Sequence, residues 1–487
     1  MRLGEDIAIA LKTGDVLALS GDLGAGKTTL ARSLIRALAG DPGLEVPSPT
    51  FTLVQAYDTP VPVAHFDLYR LSSPDELDEL GFDEVRVGGI AIVEWPEKAG
   101  ERLPDDRLML ELTHEGEGRR ARLSGGEAAL GRVERSLAMR GFLIEAGWGE
   151  ATRARFTGDA SARAYETVRL QGEADRVLMN SPRLVLGPPV RDGKPYAQIA
   201  HSAQTVAAFV ALDKALHGIG VTVPAIYAHD LDRGFLLLEH LGAGAFLDPD
   251  GKPIAERYAA AAELLAMIHQ KPVQQRIEIA PGIEHQIPPF VRGALMIEVD
   301  LLVDWYVPAI TGAPPTGALR TAYHAAWTAL FDRLDSAEHG LVLRDFHSPN
   351  IVWRPERTGH DRMGILDFQD ALIGASAYDV ASLAMDARVT LPDEIERSTV
   401  AAYVAARQAA GGFDADAFAE AYAIMAAQRN SKILGIFVRL HRRDGKPQYL
   451  KHLPRIRDYL RRALAHPTLV ELRDLYRAQG FLDEVVL

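Results

Sequence analysis

The sequence predicts an α/β domain followed by a larger, two-lobed α+β domain. Three observations point that way. Near the N-terminus an apolar run, Val16 to Leu19, breaks into a glycine-rich turn and then a helical pattern through Leu30, Leu34, Ile35 and Leu38. From Arg153 to Leu241 the pattern is strand-rich, and from Ile254 onward it is helical. Between Leu341 and Asp370 two short apolar runs lead into clusters of Asp and Asn. At 487 residues the chain is also too long for one compact core.

In the first domain, expected over residues 1–126, the turn reads Gly21-Asp22-Leu23-Gly24-Ala25-Gly26-Lys27-Thr28-Thr29. A strand, then G-x-x-x-x-G-K-T, then a helix is the context of a P-loop. Glycines at these places let backbone N–H groups curl around phosphate oxygens. The helix that follows points its positive N-terminus at the same anion. Asp22, Leu23, Gly24, Ala25, Gly26, Lys27, Thr28 and Thr29 are therefore the expected nucleotide-binding residues. Lys27 reaches the β- and γ-phosphates, and the Thr28 hydroxyl binds Mg²⁺. ATP and Mg²⁺ are the implied cofactors.

Further along, Pro47 and Pro49 on either side of Ser48 forbid a helix, so Thr50 lies in a loop feeding a strand. Val63 to Asp67 reads as a strand. Ser72 to Leu80 starts a helix, with a Pro and acids in its first turn. Gly89 to Val93 reads as a buried strand closed by Glu94. An acid in that position is the usual second metal partner of a P-loop, and Asp67 is its rival. Leu108–Leu112 and Arg119–Leu123 read as a hairpin.

Three runs in this domain, Ser48-Pro49-Thr50-Phe51-Thr52-Leu53-Val54, His65-Phe66-Asp67-Leu68-Tyr69-Arg70 and Ile92-Val93-Glu94-Trp95-Pro96-Glu97, resemble the bacterial TsaE family over about residues 1–125. The resemblance implies a small P-loop ATPase, slow on its own. It implies support of the threonylcarbamoyladenosine modification of tRNA through binding to the transferase subunit and its paralogue. It also implies that the Thr50 loop is a switch-like element near the γ-phosphate and that Glu94 sits at the metal.

Composition bounds the rest. Hydrophobic content of 47% and charged content of 24% are globular values. There are no cysteines, which excludes disulfides and thiol chemistry. A net charge of −13 gives no broad footprint for nucleic acid, so direct RNA binding is not expected. No apolar run reaches membrane-spanning length. The start of the chain lacks the basic-then-apolar build of a signal peptide. A cytoplasmic location without membrane association is expected. The 15 histidines show no metal-ligand spacing.

Ser124-Gly125-Gly126 reads as a hinge, with a second domain over 127–487. A helical stretch carrying Leu130, Val133, Leu137, Leu143 and Ile144 opens it. The expected lobes are about 127–241 and 242–487. Strands are expected at Arg153–Thr157, Tyr165–Leu170, Arg176–Asn180, Val223–Tyr227 and Phe235–Leu241, and helices at Gln204–His217, Ala262–His269, Ala294–Trp305 and Ala318–Leu334. Trp305 and Tyr306 read as core on an apolar helical face.

The second chemical cluster is Arg344-Asp345-Phe346-His347-Ser348-Pro349-Asn350, followed by Ile365-Leu366-Asp367-Phe368-Gln369-Asp370. D-x-x-x-x-N and then an Asp closing a short strand is the arrangement of kinases. Asp345 is the expected catalytic base, accepting the proton of the attacking hydroxyl. Asn350 and Asp367 offer hard oxygens to Mg²⁺.

With Gly158-Asp159-Ala160-Ser161-Ala162-Arg163, Leu366-Asp367-Phe368-Gln369-Asp370-Ala371 and Tyr378-Asp379-Val380-Ala381-Ser382-Leu383, this region resembles the aminoglycoside phosphotransferase-like kinases, and within them the N-acetylmuramate/N-acetylglucosamine anomeric kinases. The resemblance implies a protein-kinase-like fold. Gly158, Ser161 and Arg163 would cover the nucleotide phosphates, and Glu239 to Leu241 would offer hinge backbone to adenine. The implied reaction moves the γ-phosphate of ATP to the anomeric hydroxyl of an N-acetylated amino sugar, and the product feeds UDP-sugar synthesis in cell-wall recycling. Asp386 and Arg388 either contact the sugar or pair with each other.

The sequence departs from the kinase pattern at three places. The third strand, Val177-Leu178-Met179-Asn180, has no lysine; Leu343 stands where a histidine is usual; Gln369 replaces a glycine. Arg163 is the expected substitute for the missing lysine. A kinase for another small alcohol or an aminoglycoside, or a nucleotide-binding pseudokinase, remain the alternatives for the second domain.

Overall fold

The structure, a computed structural model, describes residues 2–156 and 163–484. The chain divides into two compact units, Met1–Asn180 with Tyr227–Glu239, and Ser181–Ile226 with His240–Leu487.

The first unit begins with helix α1 (Arg2–Ala10), strand β1 (Val16–Ser20) and helix α2 (Lys27–Ala39). Then come β2 (Val54–Tyr57) and β3 (Val63–Asp67). The single helix expected from Ser72 is broken at Leu80-Gly81 into short α3 (Glu76–Glu79) and α4 (Phe82–Gly88). β4 (Ile90–Glu94) and the expected hairpin, β5 (Leu108–Glu115) with β6 (Gly118–Ser124), complete a six-stranded sheet of order β2-β3-β4-β1-β5-β6. β1 lies parallel between β4 and β5, and Leu17, Ala18 and Leu19 are wholly buried. A strand covered on both faces must read as an unbroken apolar run, which is how it looks in sequence. β3 and β4 are parallel with Asp67 opposite Glu94, so both acids emerge at the carboxyl end of the sheet. Ligands of open α/β sheets bind there.

Helix α5 (Glu127–Glu145) is not the property of one domain. Its first half places Val133 in a core with Ile7, Leu11, Leu34 and Leu110. Its second half places Met139, Phe142 and Leu143 in another core with Val168, Leu178, Phe235 and Leu237. That second core belongs to a sheet that starts with β7 (Thr152–Arg155), β8 (Ala164–Arg169) and β9 (Arg176–Asn180). The chain then enters the second unit through β10 (Pro189–Arg191), β11 (Lys194–Pro195) and helices α6 (Tyr196–Ile199) and α7 (Val206–Gly218). It returns with β12 (Ile226–Asp230) and β13 (Phe235–Glu239), giving an order of β12-β13-β9-β8-β7.

The expected hinge is a close-packed joint. A Cβ on Gly125 would lie 2.3 Å from the Arg107 carbonyl oxygen, and one on Gly126 would lie 2.7 Å from that of Asp106. These glycines allow close approach of two backbones rather than free movement. Beside the joint runs a buried ionic chain. Asp6 on α1 accepts from Arg140 on α5 and Arg153 on β7, each at 2.8 Å. Arg153 makes a two-pronged pair with Glu166 on β8 at 2.7 and 3.0 Å. Glu5 accepts the Arg153 backbone N–H at 2.6 Å. The P-loop sheet and the five-stranded sheet thus form one continuous body.

The second unit is helical, as expected, except for an unanticipated hairpin. After α8 (Ala255–Gln270), β14 (Arg276–Ala280) pairs with β15 (Ile283–Gln286). α9 (Arg292–Leu301) runs through a π-helical turn at 302–306 into α10 (Val307–Thr311), and α11 (Gly317–Arg333) follows. Tyr306 is fully buried and donates to the Phe481 carbonyl at 3.2 Å, while Trp305 is half-buried. Two ribbons carry the polar clusters: β16 (His339–Val342) pairs with β19 (Leu372–Ala375), and β17 (Ile351–Trp353) with β18 (Met363–Ile365). α12 (Ala377–Ala384), α13 (Asp393–Ala410), α14 (Ala415–Asp444), α15 (Leu453–Ala463) and α16 (Val470–Ala478) close the unit. α14 is 30 residues long and buries every residue from Ala423 to Ser431, polar ones included.

Candidate functional site

The P-loop is built largely from backbone. Gly21, Gly24 and Gly26 have φ of +135°, +80° and +105°. A Cβ at Gly21 would lie 2.3 Å from the Leu112 carbonyl oxygen, so only glycine passes beneath β5 there. Lys27 is 5% exposed. Its Nζ donates to the carbonyls of Gly21 at 2.7 Å and Asp22 at 3.0 Å, and lies 3.6 Å from the centre of the Trp95 ring. Burial lowers the Lys27 pKa against the pull of Glu94, Glu97, Asp67 and Asp22.

The two acids divide the work. Glu94 accepts the Thr28 hydroxyl at 2.9 Å, and its other oxygen is 2.9 Å from His65 Nε2. Asp67 accepts the Thr50 hydroxyl at 2.7 Å and that of Ser48 at 3.3 Å. Glu94 therefore stands beside Thr28, and Asp67 tethers the Thr50 loop. The turn and the loop each carry a bare apolar side chain: Leu23 is 80% and Phe51 85% exposed.

In the second unit the loop that carries Asp345 is held from behind. Asp379 on α12 accepts the backbone N–H groups of Leu343 and Arg344 at 2.6 and 2.9 Å. Arg344, at φ +68°, turns its guanidinium onto Glu298 of α9. Asn350 Nδ2 donates to the Asp345 carbonyl at 2.9 Å, and His347 Nδ1 is 2.8 Å from the same oxygen. Asp345 itself is half-buried. Burial pushes its carboxyl up, but Lys432 foremost, then His347, Arg344 and Arg429, pull harder, and the pKa is lowered. It is an ionised acceptor poised for a proton. Asp367 lies two residues beyond β18 at φ +56°, and the buried Gln369 amide donates to it at 2.8 Å and to Asp370 at 3.2 Å. Gln369, where kinases have glycine, thus orients the carboxylate.

A family model described as a phosphotransferase enzyme family matches residues 152–423. The chain belongs to that family. A second model, for the threonylcarbamoyladenosine biosynthesis protein TsaE, matches residues 1–122. An N-acetylmuramate/N-acetylglucosamine kinase of Caulobacter vibrioides is 34% identical over 351 residues, covering 70% of this chain and 95% of that protein. Its counterpart in Pseudomonas putida is 33% identical over 337 residues, 67% of this chain and 89% of that one. The TsaE protein of Rickettsia bellii is 38% identical over 121 residues, 22% of this chain and 83% of that one. The phosphotransferase is therefore an ATP-using enzyme that carries a TsaE domain, and its fold is the expected pair, an α/β P-loop NTPase and a protein-kinase-like domain.

The remaining expected residues of the phosphotransferase fall as follows. Gly158 and Ser161 lie outside the described residues. Arg163 stands immediately before β8. Glu239 ends β13 opposite Arg176, and Leu241 is buried against Gly364. The third strand ends in Asn180, whose Oδ1 accepts from Arg135 of α5 at 2.7 Å. Asp386 is placed as a brace. It is wholly buried and accepts the backbone N–H of Ser348 at 2.9 Å, that of Arg388 at 2.8 Å, and the Tyr258 hydroxyl at 3.3 Å. These bonds tie Asp386 to the loop that carries Asp345. The exposed Arg388 guanidinium stacks over Tyr449 at 5.2 Å. Sequence reading missed Glu298, Lys432 and Trp95. An acid inside the apolar run of α9 was the available signal for the first.

Both sites offer donors that suit Mg²⁺. Thr28 with Glu94, and Asn350 with Asp367, are hard-oxygen pairs, and the Asn350 amide nitrogen is already engaged, which leaves its oxygen for a cation. Among the described residues no group of three or more His, Cys, Asp or Glu is placed to hold a metal ion. Among the described residues no helix is long and apolar enough to cross a membrane.

Proposed function

We propose that the chain joins two ATP-dependent activities: transfer of the γ-phosphate to the anomeric hydroxyl of N-acetylmuramate and N-acetylglucosamine, and nucleotide-gated support of tRNA threonylcarbamoyladenosine formation. One observation carries the kinase reading. Asp345 is ionised and half-buried, with Asn350 and Asp367 at the same end of the β17–β18 ribbon as cation ligands. Asp345 takes the proton of the anomeric hydroxyl as it attacks. Bound Mg²⁺ neutralises charge that develops on the phosphates. Asp379, Asp386 and Gln369 keep the reacting groups oriented. Arg163 supplies the phosphate charge that the third-strand lysine supplies elsewhere. The product, a sugar 1-phosphate, is what a nucleotidyltransferase of cell-wall recycling consumes.

For the first domain, the support is the pairing of Thr28 with Glu94 beside the Asp67-held Thr50 loop. Exposed Leu23 and Phe51 suit burial by the transferase subunit and its paralogue. Location in the cytoplasm follows from both roles.

The test uses the full chain. Excision at 127 would strip Arg140 and Arg153 of Asp6. Wild type with ATP and Mg²⁺ is expected to phosphorylate both amino sugars and to leave aminoglycosides untouched. Turnover of aminoglycosides alone would redirect the acceptor. No turnover on any acceptor would favour a pseudokinase. Failure of Lys27→Ala to affect complementation of a strain lacking the TsaE function would defeat the first role.

A further inference from the structure

N-acetylmuramate and N-acetylglucosamine present the same anomeric hydroxyl. They differ by a lactyl ether whose carboxylate is charged at neutral pH. An enclosed site that admits the acid must supply a cation, because a buried carboxylate without a partner is costly.

Three cations stand around Asp345, and two are already used. Arg344 and Lys432 share Glu298, with Lys432 Nζ at 2.8 Å from its Oε1. Lys432 also donates to the Tyr378 hydroxyl at 3.3 Å. Arg429 precedes Lys432 by three residues on α14, on the same face of the helix. It is 4% exposed, and no carboxylate pairs with it among the described residues. Its Nη1 is shut off from solvent without a hydrogen-bond partner. A guanidinium has five N–H donors in a planar fork that matches a carboxylate. Burying such a group unmatched is expensive unless a ligand completes it. Its stretch of α14 packs against the elements that hold the Asp345 loop: the neighbouring Asn430 Nδ2 is 3.3 Å from Met385 Sδ, and Lys432 shares Glu298 with Arg344.

We propose, on the amino-sugar reading above, that Arg429 holds the lactyl carboxylate of N-acetylmuramate and so sets the preference of the site for the acidic over the neutral sugar. The carboxylate takes the fork of Arg429 while the anomeric hydroxyl addresses Asp345. N-acetylglucosamine leaves the fork unfilled and binds through its other groups.

Steady-state kinetics of the full chain with each sugar, for wild type, Arg429→Met and Arg429→Lys, test this. Arg429→Met should raise KM for N-acetylmuramate about 10–100-fold, the weight of a lost hydrogen bond to a charged group. KM for N-acetylglucosamine should change less than about threefold, the scale of a site that loses no partner. Arg429→Lys should restore part of the selectivity, since it keeps charge without the fork. Equal KM rises for both sugars would overturn the assignment. So would a shared loss of kcat with both KM values unchanged, which would place Arg429 on the transferred phosphate instead. If Arg429→Met does not fold, as read by its thermal transition, the selective KM rise in Arg429→Lys decides the matter. A wild type that phosphorylates neither sugar overturns the amino-sugar reading itself.

Discussion

The two triphosphate-handling centres of this chain place charge in opposite ways. The P-loop is shaped by its own backbone, and its polar residues lie in four short runs within the first hundred residues. Lys27 rests on carbonyls of its own turn, and Thr28, Glu94, Asp67 and Thr50 connect pairwise. The Asp345 loop instead borrows its electrostatics. Asp345 is tuned by Lys432, which comes from a helix almost ninety residues downstream, and the loop is pinned by Asp379 and Asp386. A backbone device can be read locally. A device assembled from distant helices cannot.

The largest effect expected is at Asp345. Asp345→Ala should lower kcat for sugar phosphorylation by about 10²–10⁴-fold, the usual contribution of a positioned general base. Nucleotide binding at the P-loop should be unaffected. A variant that keeps more than a tenth of wild-type turnover would remove Asp345 from the chemistry and leave the contrast without one of its sides.

Asp6 tests whether the contrast is housed in one body. Asp6→Asn leaves Arg140 and Arg153 facing a neutral group in a buried site, and removal of one partner from such a network costs about 3–5 kcal/mol. Calorimetry should show the transition that contains the P-loop sheet and the five-stranded sheet falling as one. Separate transitions for the two sheets would mean that the ionic chain joins nothing cooperative.

The legible parts of the sequence follow from the same physics. β1 and β4 announce themselves because strands buried on both faces are apolar throughout. The ordered motifs bring Lys27, Thr28 and Glu94, and Asp345, Asn350 and Asp367, to the ends of short strands and turns, because each motif is one short stretch of backbone. Three things stayed hidden. Gly125-Gly126 reads as a hinge, yet what lies against it is Arg107 and Asp106, which composition does not reveal. α5 reads as the first helix of a second domain, but its apolar stripe serves two cores in succession. Asp386 beside Arg388 suggests a local role, yet besides the Arg388 backbone N–H its partners are Ser348 and Tyr258, far away in sequence.

Lys27 sharpens the comparison from the other side. Lys27→Ala removes the only side-chain cation of the phosphate turn. It should weaken nucleotide at the P-loop about 10–100-fold, from the loss of charged hydrogen bonds. Titration with a fluorescent ATP analogue should then fall from two tight sites per chain to one, with kcat for sugar phosphorylation unchanged. Two tight sites in the variant would mean that Lys27 contributes little to holding nucleotide.

The smallest effect concerns the borrowed charge. Asp345 must be ionised to accept a proton, and its pKa lies below the ordinary carboxylate value, so protonation should depress kcat/KM only at pH below that range and the profile should be flat above it. Lys432 is the foremost charge that favours the ionised form. In Lys432→Met, burial gains weight and the pKa rises, so the acid limb moves to higher pH while the plateau holds. Glu298 keeps Arg344 as its partner, and for this reason the fold should survive the change. Superimposable profiles for wild type and Lys432→Met would show that Asp345 is tuned by its own loop after all, as Lys27 is by its turn, and the distinction between the two centres would then collapse to one of motif alone.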